Sequence, residues 1–269
     1  MKLKAILCDF DGTLVDKDLK YSLQVKTLIS KIKSKKIRFS LATGRAYYGP
    51  VQKFLDELKL YDYHIFHGGA MIYHNKTKNT LLYQPISEQS VEKIVNYFKT
   101  EKLFFGLETK KSVYLSKLAA VPTYINRESS RHLKELKNYK DVLKIVITIN
   151  INNLSEAQVE KHIDYLTKSC KDISILKIKI INFGLDITSE KATKHTAVLE
   201  YERLLNIPRQ QIVAIGDGYN DYPLFTACDY KIAMENAPQE LKEIADFIAP
   251  TVDNNGTEVA LQHIISKFL

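Results

Sequence analysis

The chain has 269 residues, a hydrophobic fraction of 45% and a formal net charge of +8, a size that suggests one large α/β domain or two domains. No apolar stretch approaches the roughly 20 residues that span a bilayer, and Lys4 and Asp9 interrupt the N-terminal run, so neither a membrane helix nor a signal peptide is expected and a cytoplasmic location is. Cys8, Cys170 and Cys228 lie far apart without a Cys-x-x-Cys pair, which argues against a disulfide framework or a thiolate zinc site and leaves three reduced structural thiols.

In chain order, the apolar run Leu3 to Cys8 reads as a buried strand leading into Asp9-Phe10-Asp11-Gly12-Thr13-Leu14-Val15. A helical pattern from Tyr21 to Lys35 follows, then a strand from Ile37 to Ala42 ending in Thr43-Gly44-Arg45, which completes a βαβ unit. Lysines between Lys26 and Lys36 alternate with Leu28, Ile29 and Ile32, the pattern of a solvated face opposite a buried one. A second helix near Pro50 to Leu58 precedes a strand at Tyr63 to Phe66 and the Gly68-Gly69 turn. Far downstream, Ile212 to Ile215 runs into Gly216-Asp217-Gly218-Tyr219-Asn220-Asp221. Alternating β and α segments predict an α/β fold with a doubly wound, mostly parallel sheet, in which ligands bind outside the carboxyl ends of the strands.

From about Pro85 to Ile181 the pattern changes. A helix over Glu88 to Phe98, strands at Leu103 to Leu107 and Ser112 to Leu115, a helix near Ser129 to Leu136 and a strand from Leu143 to Ile149 are expected. A helix from about Glu156 to Ser169 comes next, with Ser155 and Gln158 spaced as a capping box, then strands at Ile173 to Leu176 and Ile178 to Phe183. This reads as an inserted α+β module over residues 85–185, with the core formed by 1–84 and 186–269. An insert at the strand ends would be placed to act as a lid.

Three polar clusters, at residues 9–13, 43–45 and 216–221, each end a predicted core strand. The spacing of Asp9 and Asp11 puts both side chains on one side of an extended backbone, and Gly12 and Thr13 add amides and a hydroxyl. Joined to Asp217 and Asp221, they offer oxygen ligands to a hard cation such as Mg²⁺, which takes one or two carboxylates beside water and substrate phosphate. Phosphoryl transfer also needs cationic or amide groups on the equatorial oxygens. Thr43 and Gly44 stand at a strand end, and Lys194 opens a helical segment from about Thr193 to Leu204, although composition alone does not separate it from Lys191.

These ordered motifs, Asp-Phe-Asp-Gly-Thr-Leu-Val, Ala-Thr-Gly-Arg, a lysine and Gly-Asp-Gly-Tyr-Asn-Asp, resemble the haloacid dehalogenase (HAD) superfamily, specifically the Cof-type phosphatases. Ala233-Met234-Glu235-Asn236-Ala237 and Asn254-Asn255-Gly256-Thr257 look like that family's closing segments. The resemblance implies a Rossmann-like HAD core with an inserted α+β cap that selects the leaving group. It implies Asp9 as nucleophile, forming an aspartyl-phosphate, and Asp11 as general acid and then base. Asp9, the backbone carbonyl of Asp11 and Asp217 would hold Mg²⁺, with Asp221 as a ligand or a support. Thr43, Gly44, Lys194 and Asn220 would bind the phosphoryl group, with Arg45 a further substrate contact. One departure is Gly68-Gly69-Ala70, where family members commonly carry Asn-Gly-Ala.

The expected function is a Mg²⁺-dependent phosphatase of small phosphorylated metabolites, sugar phosphates first and phosphorylated cofactors such as flavin mononucleotide or pyridoxal phosphate next. A hexose-phosphate mutase on the same fold is the alternative, and Asp11 disfavours a dehalogenase. The +8 charge raises a polyanion-binding protein as a rival of another class, but no arginine-rich tract, zinc-finger spacing or aromatic RNA-binding signature is present, and neither a nucleic-acid nor a membrane partner is expected. His64 and His67 flank an apolar strand without a third ligand nearby, His195 reads as a helix-surface residue, and Tyr47 and Tyr48 as packing or substrate contacts.

Overall fold

Strand β1 (Ala5–Cys8) is buried at all four positions, which requires cover on both edges and both faces. In the computed structural model, which describes residues 2–118, 127–147, 152–179 and 183–269, one edge pairs in parallel with β2 (Arg38–Leu41). Between them runs α1 (Leu23–Ser34), capped by Ser22, whose side chain accepts the Val25 N–H. Its buried stripe is Val25, Leu28, Ile29 and Ile32, with the lysines on the solvated side. Next come α2 (Pro50–Glu57) and β3 (Tyr63–Phe66), which pairs antiparallel with β4 (Met71–His74). Strand β5 (Thr80–Tyr83) completes this three-stranded sheet, and a parallel bridge between Ala42 and Ile65 ties it to β2.

The middle of the chain forms its own sheet. Helix α3 (Glu88–Thr100) is followed by β6 (Phe105–Glu108), β7 (Val113–Leu115), β8 (Ser130–His132) and β9 (Lys144–Ile147), then α4 (Glu156–Ser169), β10 (Ile173–Lys179) and β11 (Phe183–Ser189). The order is β10-β11-β9-β6-β7-β8, antiparallel except for the parallel β7–β8 pair. Ser155 and Gln158 make the expected reciprocal capping box on α4. Strand alternation sends Phe105, Leu107, Ile145, Ile147, Leu185 and Ile187 into one core with α3 and α4. Lys144, out of phase with that core, pairs with Asp186 at 2.9 Å and Glu108 at 3.6 Å. Tyr48 packs with Phe104, Val113 and Leu115.

Two expected elements of this module differ. In place of a helix near Ser129 to Leu136 there is β8, between 3-10 turns at Arg127–Ser129 and Leu133–Glu135. Leu133 and Leu136 are the segment's only apolar residues, too few for a buried helical stripe, and the His132 side chain and Glu135 close the second turn by reciprocal capping. The break expected after Leu176 is absent. Leu176, Lys177 and Ile178 stay in register with Asp186, Leu185 and Gly184, and the next strand starts at Phe183, residues 180–182 of the expected one lying outside the described residues. Positions 148 and 149 of the strand expected to reach Ile149 also lie outside them.

The chain then returns through α5 (Lys194–Leu205), β12 (Ile212–Gly216), α6 (Tyr222–Ala227), β13 (Tyr230–Met234), α7 (Gln239–Glu243), β14 (Phe247–Ala249) and α8 (Gly256–Phe268). The result is an all-parallel five-stranded sheet, β14-β13-β12-β1-β2. Ala5, Leu7, Ile212 and Ala214 pack with Ala197, Val198 and Tyr201 of α5 and Leu224 and Phe225 of α6. The intervening Ile6, Cys8, Val213 and Ile215 are equally buried and point to the other face. The strand order reverses at β1, so the crevice of this doubly wound sheet opens at the carboxyl ends of β1 and β12.

Two compact units emerge: Met1–Arg45, Lys53–Leu82 and Lys194–Leu269 form one, and Ala46–Gln52 with Tyr83–Thr193 the other. A boundary at 185/186 falls inside β11, whose pairing with β9 and β10 carries the whole strand into the second unit. Cys8, Cys170 and Cys228 are free and buried. Among the described residues no helix is long and apolar enough to cross a membrane.

His64 is locked between β2 and the turn before β3. Its Nδ1 accepts the Leu41 N–H at 2.9 Å, and Nε2 lies 2.9 Å from the Leu60 carbonyl, which selects the neutral tautomer with the proton on Nε2. Burial lowers its pKa from 6.5 to about 4, outweighing the Leu60 hydrogen bond. Above pH 6.5 the group is neutral folded and unfolded; below it, only the unfolded chain takes the proton, so stability falls as pH drops toward 4. The loss is expected to approach about 3 kcal/mol. Urea unfolding from pH 7 to 4.5 should show this dependence reduced in His64→Gln, and an identical pH slope in both proteins would refute it.

Candidate active site

Parallel pairing brings three distant segments to one end of the sheet. The Asp9 N–H continues the ladder to the Ile215 carbonyl at 2.9 Å, which sets Asp9 beside the end of β12. There the chain turns through Gly216 to Asp221, and the fully buried Asp221 folds back so that its Oδ2 accepts the Asp217 and Gly218 N–H groups, both at 3.0 Å. A Cβ at Gly216 would lie 2.5 Å from the Asp221 carboxyl carbon, so only glycine permits this approach. Lys194, the first residue of α5, is 2% exposed. Its Nζ donates to Asp9 Oδ1 at 2.7 Å and to Asp221 Oδ1 at 2.6 Å. Lys191 is exposed, and the structure thereby separates the two lysines that composition could not.

Asp217 completes the cluster. Its Oδ1 accepts the Thr13 hydroxyl at 2.8 Å and its Oδ2 the Asn236 amide at 2.9 Å. Gly12 adopts φ +74°, and a Cβ there would sit 2.4 Å from Asp217 Oδ2. Thr13 is itself held, since the Thr257 hydroxyl donates to its carbonyl at 2.5 Å. Asn236 and Thr257 were given no role from the sequence. They belong to the two closing segments, Ala233 to Ala237 and Asn254 to Thr257.

One oxygen from each of Asp9, Asp217 and Asp221 lies within 4.8 Å of the others. Three carboxylates thus face one ammonium. Burial, and next Asp221, hold the Asp9 carboxyl well above the usual carboxylate range, and the same causes in the same order raise Asp217 to about 6. Burial works against the Lys194 ammonium, but Asp221 and then Asp9 outweigh it and raise its pKa. With all three carboxyls ionised, two negative charges are left over, and the donors are all oxygen, so the set fits a hard dication. Asp9 Oδ2 takes no hydrogen bond from the described residues. Asp221, like Asp217, has both oxygens engaged, one by Lys194 and the other by the Asp217 and Gly218 N–H groups.

The remaining sequence candidates lie around this cluster. Asp11 does not join it: the turn after buried Phe10 directs its carboxylate to Arg45, whose Nε and Nη2 bind its two oxygens at 2.7 and 2.6 Å. Thr43 is 1% exposed, and its Oγ1 accepts the Arg45 N–H at 3.0 Å, while its hydroxyl hydrogen finds no acceptor among the described residues. Space beside Gly44 is open, with no atom within 4 Å of a Cβ built there. Asn220 is half-buried in the turn Tyr219–Asp221, and its amide makes no hydrogen bond among the described residues. His195 bonds Thr226 instead, at 3.0 Å.

A sequence match to the haloacid dehalogenase-like hydrolases covers residues 6–261. The chain belongs to that family. It is 22% identical to the phosphatase YwpJ of Bacillus subtilis, across 98% of this chain and 100% of the relative. It is 24% identical to the 5-amino-6-(5-phospho-D-ribitylamino)uracil phosphatase YwtE of the same organism, across 98% and 99%. A solved structure described as a HAD subclass IIB sugar phosphatase superposes with a TM-score of 0.79 at 20% identity, covering 97% of this chain and 98% of that one. Within this HAD chain, the sheet, the cluster and the closing segments form one connected unit.

Removing the central cation would leave Asp9 and Asp221 buried against each other. Lys194→Met is expected to cost about 3–5 kcal/mol of unfolding free energy, and Lys191→Ala less than about 0.5 kcal/mol. Urea denaturation of both variants checks this; equal midpoints would mean that the buried pair carries no such weight.

Proposed function

We propose that this chain is a Mg²⁺-dependent phosphatase of small phosphorylated metabolites that works through an aspartyl-phosphate on Asp9. The observation that carries the reading is the convergence of Asp9, Lys194, Asp217 and Asp221 at the carboxyl ends of β1 and β12. Asp9, Asp217 and the Asp11 carbonyl would hold Mg²⁺, with Asp221 in support, and the bound ion would supply charge neutralisation for the phosphoryl oxygens.

The free Oδ2 of Asp9 attacks phosphorus. The bond from phosphorus to the ester oxygen breaks, and its electron pair leaves with that oxygen, which takes a proton from the Asp11 carboxyl. A water oxygen then attacks the same phosphorus and gives its proton to the Asp11 carboxylate; the bond to Asp9 breaks, releasing inorganic phosphate and restoring both residues. Lys194 holds Asp9 in line, and with the Thr43 hydroxyl, the Gly44 amide and Asn220 it meets the oxygens on which charge develops. Residues of the second unit select the leaving group in this reading. Sugar phosphates are the first substrate class, supported by the sugar phosphatase among the structural neighbours, with phosphorylated cofactors next. Three buried, unpaired thiols support a reducing cytoplasmic setting.

The test is phosphate release from p-nitrophenyl phosphate and a panel of sugar phosphates, with Mg²⁺ or with EDTA. Activity should require Mg²⁺ and fall by about three orders of magnitude or more in Asp9→Asn, and by about two in Lys194→Ala. Undiminished turnover by Asp9→Asn would remove the nucleophile assignment. Conversion of a hexose 1-phosphate to its isomer without phosphate release would replace the phosphatase by a mutase.

A further inference from the structure

We infer that Arg45 is a positioning residue that fixes the carboxyl of Asp11 for proton delivery to the leaving oxygen, an inference that rests on the phosphatase reading. The guanidinium grips both carboxylate oxygens, Nε to Oδ2 at 2.7 Å and Nη2 to Oδ1 at 2.6 Å, the two-point geometry in which arginine sets direction as well as distance. Arg45 is itself fixed from several sides. Its N–H donates to Thr43 Oγ1 at 3.0 Å, its carbonyl accepts the His67 N–H at 2.9 Å, and its guanidinium carbon lies 5.6 Å from the centre of the Phe10 ring. That ring is 1% exposed and packs edge-on against Phe54 at 5.0 Å.

Asp11 has no comparable support of its own. It stands between Phe10 and the left-handed Gly12, its side chain is 47% exposed, and it lies outside the Asp9, Asp217 and Asp221 cluster. A half-exposed aspartate on a turn samples several rotamers, whereas proton transfer needs the carboxyl within hydrogen-bond reach of one oxygen. Arg45 removes that freedom while leaving Asp11 accessible, since each gripped oxygen keeps a second lone pair on which the transferred proton can sit. Lysine, a single-point donor on a flexible stem, cannot reproduce the grip.

The consequence is selective. A leaving group that is stable as an anion departs without a proton, and one that is not depends on Asp11 and therefore on Arg45. The experiment measures kcat/KM, which reports the step forming the aspartyl-phosphate, for phenyl phosphates whose phenols have graded acidity, with Mg²⁺ saturating. Wild type, Arg45→Ala, Arg45→Lys, Asp11→Asn and the Asp11→Asn/Arg45→Ala double variant are compared. Arg45→Ala should lose less than about threefold with p-nitrophenyl phosphate and about 10- to 100-fold with phenyl phosphate, and Arg45→Lys should recover little of it. In the Asp11→Asn background the same change should add nothing, because the two residues act as one unit.

An equal loss across the series would make Arg45 a direct phosphoryl contact or a structural residue and overturn the inference, as would full additivity with Asp11→Asn. Urea midpoints establish which variants are folded, and Arg45→Lys, which keeps the charge, carries the comparison if Arg45→Ala is not. Wild type inactive toward every ester would instead overturn the phosphatase reading, and this inference with it.

Discussion

The buried ammonium of Lys194 is the point on which the catalytic unit turns. It ties residues 185 and 27 positions away in sequence, Asp9 and Asp221, into one pair of hydrogen bonds. Taking three charges out of water is costly, and such an arrangement is weak evidence for stability in itself. Its value in the proposed reaction is preorganisation: the attacking carboxylate and the cation that meets the developing charge are already aligned, so no solvent reorganises during the chemical step. The alignment depends on the register of β1 with β12, because Cys8 lies beside Ile215 and the next residue on each strand begins the site.

Around that pair the structure places donors on every acidic group except the oxygen proposed to react. Thr13 and Asn236 hold Asp217, backbone amides hold Asp221, and Arg45 holds Asp11. Glycine at positions 12 and 216 makes room for two of these carboxylates, since any side chain would occupy the same space. The cluster carries excess negative charge in a chain whose net charge is +8. In the proposed reaction the overall positive charge favours encounter with an anionic phosphate ester.

The second unit is built on a different plan. Its antiparallel sheet needs helices on one side only, and α3 and α4 supply them, which frees alternate strand positions for polar groups such as Lys144, Glu108 and Asp186. The centre of the core unit lacks this freedom, because β1 and β12 are buried on both faces.

Much of this organisation was legible in the residues alone. Strands such as Ala5–Cys8 and helices such as α1 and α4 carry strong local periodicity or caps, and the acidic and glycine-rich clusters stand where strands end. Where local pattern was weak, tertiary pairing decided: the segment from Ser130 to His132 became a strand against β7, and β10 ran on past Leu176 because β11 lies opposite it. The sequence by itself determined which chemical groups are present and their order along the chain, because those follow from residue type and short-range spacing. Only the tertiary structure decided that Lys194 and not Lys191 enters the cluster, that Asp11 turns away from Asp9 to Arg45, and that Asn236 and Thr257 hold the Asp217 side of the cluster in place. Those choices depend on contacts between segments far apart in the chain, and no local period encodes them.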